Sequence, residues 1–516
     1  MNTFAMKRLI LFLSLLSAVF GHHILCIQNV PSRSHHTLMM GIVRPLLEAG
    51  HQVTMITTFP EEKPAKNLRY IDVGHLRDLV PKDSNLLKSR AGQSMSFVKM
   101  FARNISRSTI ETPAVREALI KQNFDAVVTE WFFSDSDAGY AAVQQAPWIL
   151  LSGMVIHAHL ENIVDTVRSV PTIPTLMNDF PVPMSFWQRL LNTGSYLLMA
   201  GANLLDQSKM EANYVSDFSA ISSARGVPLP PYNDALYNVS VLLVNSHPSF
   251  APARSLPPNV VDIASYHMDE NIAPLPKDLQ DLLDSSTKGV VYFSMGSVLK
   301  SADLPEKTKK GLIKVFSELP YTVLWKFEEK IEGLPKNVHV RPWMPQSSIL
   351  SHPNVLVFIT HGGLLSTLES LYHGIPIIAI PVFGDQPGNA KRCVQEGRAL
   401  MVSIGENMAE DLNNALKDML GNDSYYKKAK ELSKLFRSRP VKPYKLIQHY
   451  VELAIESKGA YHLRSKTHLY KWYELWMLDQ IAFVLAVLAI AFSLLKKVAG
   501  LFMTKQKQKG KKEKKN

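Results

Sequence analysis

Residues 358–386 decide the fold: Phe358-Ile-Thr-His361-Gly-Gly363-Leu-Leu365-Ser366-Thr-Leu-Glu369, then, six residues on, Pro376-Ile-Ile-Ala-Ile380-Pro-Val-Phe-Gly-Asp385-Gln386. The run 355–360 is apolar and rich in β-branched residues, which predicts a buried strand. Gly362 and Gly363 predict a tight turn whose backbone can approach a ligand closely. Residues 364–373 have helical spacing, with Gly374 placed as the C-cap. Residues 377–380 read as the next strand. A strand, glycine turn, helix and strand make one unit of a parallel α/β sheet. The turn offers free N–H groups and the positive end of a helix dipole to a diphosphate.

Taken singly, the polar residues have plain readings. Ser366-x-x-Glu369 fits a capping box, His361 a strand-end histidine and Asp385-Gln386 a turn. Their joint spacing, with Trp343-Met-Pro-Gln346 upstream, favours a ligand: an indole face for a base and a carboxylate for the two hydroxyls of a ribose. The pattern resembles the signature of the UDP-dependent glycosyltransferases that make small-molecule glycosides. The resemblance implies that Trp343 and Gln346 hold uracil and ribose and that Glu369 holds the ribose hydroxyls. It implies His361 and Ser366, with Gly363 in the same turn, at the diphosphate, and Asp385 and Gln386 at the sugar hydroxyls. Ser294-Met-Gly-Ser297, after an apolar run at 289–293, matches a second phosphate loop through Ser297. Many relatives carry Asn where this chain has Leu365; the pair Leu364-Leu365 is similar to the insect branch.

Outward from this stretch, the chain alternates strands and helices. Strands are predicted at 24–29, 52–57, 125–129 and 148–151, with a helix at 38–49, so a parallel sheet is expected. Residues 160–230 are helix-rich. Within them 184–205 is apolar and reads as a core helix, a wall of the acceptor pocket or a membrane-contacting segment, the first two favoured. A proline-rich stretch at 251–276 reads as a linker, and a second α/β series follows with strands at 289–293, 322–326, 338–341, 355–360 and 377–380. The expected organisation is a leader at 1–21, an acceptor-binding domain at 22–265, a UDP-sugar-binding domain at 266–440, a helical return segment at 441–474, a membrane helix at 475–497 and a basic tail at 498–516. The resemblance implies the GT-B arrangement, two facing Rossmann-like doubly wound domains, with the ligand in the cleft between their sheets.

Glycosyl transfer to an alcohol needs a group to take the hydroxyl proton, and a histidine suits that task at neutral pH. By the resemblance, the catalytic histidine lies sixteen positions before the His of Gly50-His51, which selects His35 over His36 in a loop after the first strand. The acidic partner belongs at the end of the strand near 125; the family has Asp there, and this chain has Glu130. Asp135 and Asp137 are rivals. Asp135-Ser-Asp137 also resembles the metal-binding pair of a different glycosyltransferase fold, but the signature belongs to a metal-independent one. No metal or cofactor is therefore expected; the UDP-sugar is a co-substrate.

The formal net charge is +12. Nine lysines and one glutamate at 496–516 carry eight units of it and Lys7-Arg8 two more, leaving +2 for the rest. The basicity is topological and gives no argument for nucleic-acid binding. The leader has Lys7-Arg8 before a short apolar run, as a secretory signal does. Residues 481–495 are almost wholly apolar, with Tyr470, Trp472, Tyr473 and Trp476 on one side and lysines on the other. That predicts one membrane span with a cytosolic tail and a luminal body. Lys512-Glu-Lys514-Lys515-Asn516 resembles a dilysine retrieval signal of the endoplasmic reticulum. Cys26 and Cys393 are placed too far apart to expect a disulfide and too few for a thiolate zinc site. Sequons stand at Asn104, Asn238 and Asn422. The reading is thus a single-pass enzyme that moves a hexosyl group from UDP-glucose to a hydroxyl of a small lipophilic acceptor, with inversion. UDP-glucuronate as donor, a non-catalytic lipophilic-ligand binder and a lipid-modifying enzyme are the alternatives. A homo-oligomer is left open.

Overall fold

The computed structural model describes residues 21–80, 95–165, 170–175, 178, 180, 182–251, 254–268, 272–297 and 299–513. The leader reading, apart from Gly21, and the last three residues of the tail lie outside them. One compact unit holds the described residues up to Val164 and on to Arg464; a second holds Asp165 and those from Ser465.

The first unit contains two sheets. In the first, β1 (His23–Gln28) leads into helix α1 (Arg33–Glu48), then β2 (Gln52–Thr57), β3 (Leu68–Asp72), β4 (Ala126–Glu130) and β5 (Trp148–Ser152). The long helix α2 (Phe186–Arg225), β6 (Val239–Val244) and β7 (Val260–Asp262) complete it. The order is β3-β2-β1-β4-β5-β6-β7, with every pairing parallel. The second sheet contains β8 (Val290–Ser294), β9 (Thr322–Lys326), β10 (Val338–Arg341), β11 (Val355–Thr360), helix α3 (Leu364–His373), β12 (Ile377–Ala379), helix α4 (Gln386–Gln395) and β13 (Ala399–Met401). Its order is β10-β9-β8-β11-β12-β13, again parallel. The central strands are apolar on both faces because helices cover both, and each sheet separates two hydrophobic clusters. Strand order reverses between β1 and β4 and between β8 and β11. Those two points open crevices at the carboxyl ends of the strands, where an α/β sheet receives its ligand.

Helix α5 (Pro443–Glu456) packs on the first sheet. Ile447, Val451 and Ala454 join the cluster formed by α1, β1 and β2, and Gln448 Nε2 donates to the Pro45 carbonyl at 2.7 Å.

Three expectations about this unit are corrected. Helix α1 begins at Arg33, not 38: Ser32 is extended and ends the loop, and the polar first turn carries no apolar periodicity to announce it. The proline-rich stretch contains strand β7, which pairs with β6 through Leu242–Val260 to Val244–Asp262. Residues 184–205 are no core helix. Over that part of α2 only Asn192 and Tyr196 are buried, while Phe186, Trp187, Leu190, Leu191, Leu197, Leu198, Leu204 and Leu205 are exposed, Leu205 by 83 %. Composition records how apolar a segment is, not which side its apolar arc turns.

In the second unit, helix α6 (Leu478–Glu513) is apolar over Leu478–Thr504, long enough to cross a membrane. Its start falls three residues later than expected because the backbone breaks at Met477, where φ is 53°. Cys26 and Cys393 are free and buried.

Candidate active site

The first crevice presents an imidazole and a carboxylate. His35 stands in the first turn of α1, directly after β1, and Glu130 is the last residue of β4, the strand paired with β1. Their side chains meet at 2.7 Å, Nδ1 to Oε1. Beside a carboxylate, Nδ1 carries the proton, which leaves the Nε2 lone pair to accept one. The Glu130 side chain is only 2 % exposed, whereas His35 keeps 25 %. The imidazole can therefore be reached and the carboxylate cannot. Burial lowers the His35 pKa, but the charge and hydrogen bond of Glu130, with the more distant charge of Asp385, outweigh it and raise it above its usual value. The ring of Phe132 stands edge-on to His35 at 5.3 Å.

The rival residues turn elsewhere. His36 Nδ1 lies 3.0 Å from Thr57 Oγ1, and burial, with the charges of Arg33 and Arg44, lowers its pKa to about 4. Asp135 accepts from Trp131 Nε1 at 2.8 Å and contacts His159 Nε2 at 2.9 Å. Asp137 accepts from Ser134 Oγ at 3.1 Å, and burial raises its carboxyl to about 7. Of the three acids, Glu130 is the one joined to His35. Among the described residues, no three His, Cys, Asp or Glu side chains gather to hold a metal ion.

The second crevice joins three of the signature residues, Gln346, Ser366 and Glu369. Gln346 Nε2 donates both to Glu369 Oε2 at 2.8 Å and to Ser366 Oγ at 3.1 Å. Ser366 and Glu369 lie inside α3, whose N-cap is Gly363, so they form no capping box. Burial raises Glu369 to about 7, against the opposing hydrogen bond from Gln346. His361 follows β11, and burial, with the charge of Lys326, lowers its imidazole to about 4. Its ring fills the space beside Gly296, where φ is 84° and a Cβ would fall 2.5 Å from His361 Cε1. Gly296 therefore meets two demands no other residue meets. Ser297 is the next residue in that turn and is exposed. Trp343 presents its indole to solvent, 61 % exposed.

Asp385 stands at the N-cap position of α4 and accepts from Asn389 Nδ2 at 2.7 Å. Protein packed around its carboxyl raises its pKa, against the hydrogen bond from Asn389. Gln386 is buried; its Oε1 accepts from the Val382 and Phe383 amides at 2.8 and 3.2 Å. Leu365, the departure from the polar residue of many relatives, packs against the cluster formed by α1, β1 and β2. Its side chain contributes an apolar contact where an amide would bring hydrogen bonds.

Two nearby residues carry no sequence signal. Tyr292 donates to Gln346 Oε1 at 3.5 Å from inside β8. His267 is buried 3.8 Å from Glu369 Oε1 and comes from the stretch that read as linker.

The chain was compared with known families, proteins and structures. The family model described as UDP-glucoronosyl and UDP-glucosyl transferase matches residues 30–513. The chain is similar to UDP-glucosyltransferase 2 of Dactylopius coccus, with 32 % identity over 93 % of each chain. It is 28 % identical to UDP-glucuronosyltransferase 1A3 of Rattus norvegicus, over 90 % of this chain and 89 % of the relative. Two solved structures share its fold. The glycotransferase of kitacinnamycin has a TM-score of 0.55 at 18 % identity, covering 85 % of this chain and 99 % of its own. The calicheamicin glycosyltransferase CalG4 also has a TM-score of 0.55, at 16 % identity over 84 % and 98 %. The chain belongs to the UDP-glycosyltransferase family and is a glycosyltransferase of the GT-B fold.

Proposed function

We propose that this glycosyltransferase moves glucose from UDP-glucose to a hydroxyl of a small lipophilic acceptor, with inversion, through His35. The observation that carries the reading is the 2.7 Å contact of His35 with buried Glu130, at the switch point of the first sheet. The acceptor hydroxyl gives its proton to His35 Nε2 as its oxygen bonds to the anomeric carbon. The carbon–oxygen bond to the diphosphate breaks, and UDP leaves with that bonding pair. Glu130 stabilises the imidazolium and fixes its orientation, while proton transfer to a positioned base such as His35 is worth about 10²–10⁴ in rate. Trp343, Gln346, Glu369, Ser366, His361, Gly363 and Ser297 hold the nucleotide, with Asp385 and Gln386 at the sugar. The chemistry calls on no metal ion or cofactor.

Glucose is favoured because the Dactylopius relative, a UDP-glucosyltransferase, is more alike than the rat UDP-glucuronosyltransferase. Leu365 supports the same choice. A small lipophilic hydroxyl compound is the acceptor class this reading adopts, and conjugation of toxins, hormones or metabolites is the role that suits it. Helix α6 would anchor the chain once in the endoplasmic reticulum membrane, with the sequons and both sheets in the lumen.

The test uses membranes containing the full chain, a panel of simple phenols, and UDP-glucose or UDP-glucuronate, with His35→Ala in parallel. A glycoside from UDP-glucose alone, lost in the variant while UDP still binds, is the expected result. Product only from UDP-glucuronate overturns the donor. UDP binding without product from either donor favours a binder without turnover.

A further inference from the structure

Glu369 has two carboxylate oxygens and two different neighbours. Oε2 accepts from Gln346 Nε2 at 2.8 Å. Oε1 faces His267 Nε2 at 3.8 Å, beyond hydrogen-bond reach. His267 is almost wholly enclosed, its side chain 2 % exposed. Neither of its ring nitrogens has a hydrogen-bond partner. A buried polar ring with both nitrogens unpartnered is costly and uncommon in a folded protein. No step of the proposed reaction uses it.

Its position in the chain adds a second fact. His267 follows β7 of the first sheet, while Glu369 lies on α3 of the second. Tyr266 and His267 press on α1 at Gly41, where a Cβ would fall 2.8 Å from Tyr266 Cδ2 and 2.9 Å from His267 Cα. Gly41 is two turns along the helix that begins beside His35. One short segment therefore touches both the helix of the catalytic histidine and the carboxylate of the donor site.

We propose that His267 is a positioning residue of the donor site, which donates Nε2–H to Glu369 Oε1 when ribose binds and holds that carboxylate ionised for the ribose hydroxyls. The inference rests on the reading of Glu369 as the ribose ligand. Two hydroxyls can both donate to Glu369 only if it is a carboxylate, yet burial favours its protonated form. A neutral imidazole N–H directed at the far oxygen stabilises the charge without adding one of its own. Burial keeps His267 neutral, its pKa lowered to about 4. A shift of about 1 Å closes the gap to an ordinary N–H···O distance. The contact would also transmit donor occupancy to the segment packed on α1.

The experiment measures UDP affinity by calorimetry and steady-state kinetics of the full chain, for His267→Leu and His267→Gln. Gln restores an N–H donor of similar reach. The expected result is a UDP affinity about tenfold weaker in the Leu variant, the loss of one hydrogen bond to a charged group, with KM for the UDP-sugar rising in step. The kcat at saturating donor should stay within about threefold, and Gln should recover most of the affinity. Unchanged UDP affinity in the folded Leu variant overturns the proposal, as does a fall in kcat with KM unmoved. If the Leu variant does not fold, Gln against the natural chain decides by the same measure: affinity close to natural supports the role, and affinity as weak as that of Glu369→Ala overturns it. A natural chain that binds no UDP defeats the donor-site reading itself, and is recognised before any variant is compared.

Discussion

At the scale of single residues, the site depends on two carboxylates held in opposite conditions. Glu130 is paired with a cation-forming ring and Glu369 is buried with a neutral amide, so one raises a neighbour and the other is itself raised. Both make predictions about pH. His35 must be neutral to accept a proton, and its pKa is raised; the rate should therefore fall with decreasing pH along a limb centred above 6.5. Glu130→Gln removes the charge but not the burial, so the limb should move to lower pH while kcat falls by about 10². A pH–rate profile with an unmoved limb would contradict the pairing. Glu369 has the opposite sign. In the proposed reading it holds ribose as a carboxylate, and burial raises its pKa to about 7, so uridine affinity should weaken as pH falls from 8 to 6, by up to about tenfold per unit below that pKa. Glu369→Gln should bind weakly at every pH with the slope gone. Uridine carries no phosphate, so the titration reports the protein alone.

At the scale of elements, legibility followed periodicity. Residues 355–374 were readable because a β-branched run, two glycines and a helical spacing each occupy a few adjacent residues. Strand β11 and helix α3 fall where that reading puts them, and so does the carboxyl end of β4 with Glu130. What stayed hidden depends on contacts between distant residues. Ser-His-His resembles a loop until Ser32 ends the extended chain and α1 begins. Strand β7 has three residues in a proline-rich stretch and is defined by its pairing with β6. His267 matters through a neighbour about a hundred residues away. Gly41 joins these levels. Alanine in its place would gain about 1 kcal/mol of helix propensity, but its methyl would meet Tyr266 and His267 within 3 Å. Overpacking of that kind costs about 1–3 kcal/mol, so Gly41→Ala should lower the unfolding midpoint of the chain in a thermal scan. A higher midpoint would mean that the segment yields freely.

At the scale of the whole molecule, the decisive quantity is how charge is distributed around α6. Its apolar stretch Leu478–Thr504 is not buried anywhere in the second unit, and its length suits one membrane span of about 20 residues. The flanks differ: aromatic residues precede it, and the run that follows is lysine-rich. Lysine-rich flanks remain on the cytosolic side, which would put both sheets in the lumen and make Asn104, Asn238 and Asn422 candidates for glycosylation. The sequons are unequal. Asn422 is exposed just past a helix end, Asn104 lies within a helix, and Asn238 Oδ1 already accepts from Arg464 at 2.6 Å. Sealed microsomes test orientation and sequons together. Added protease should remove only a tail-sized fragment, and a glycosidase should then shift the protected body, with most of that shift absent in Asn422→Gln. Digestion of the body in intact vesicles would reverse the orientation, against the roughly 1 kcal/mol that each lysine in the flank contributes toward the negatively charged cytosolic surface.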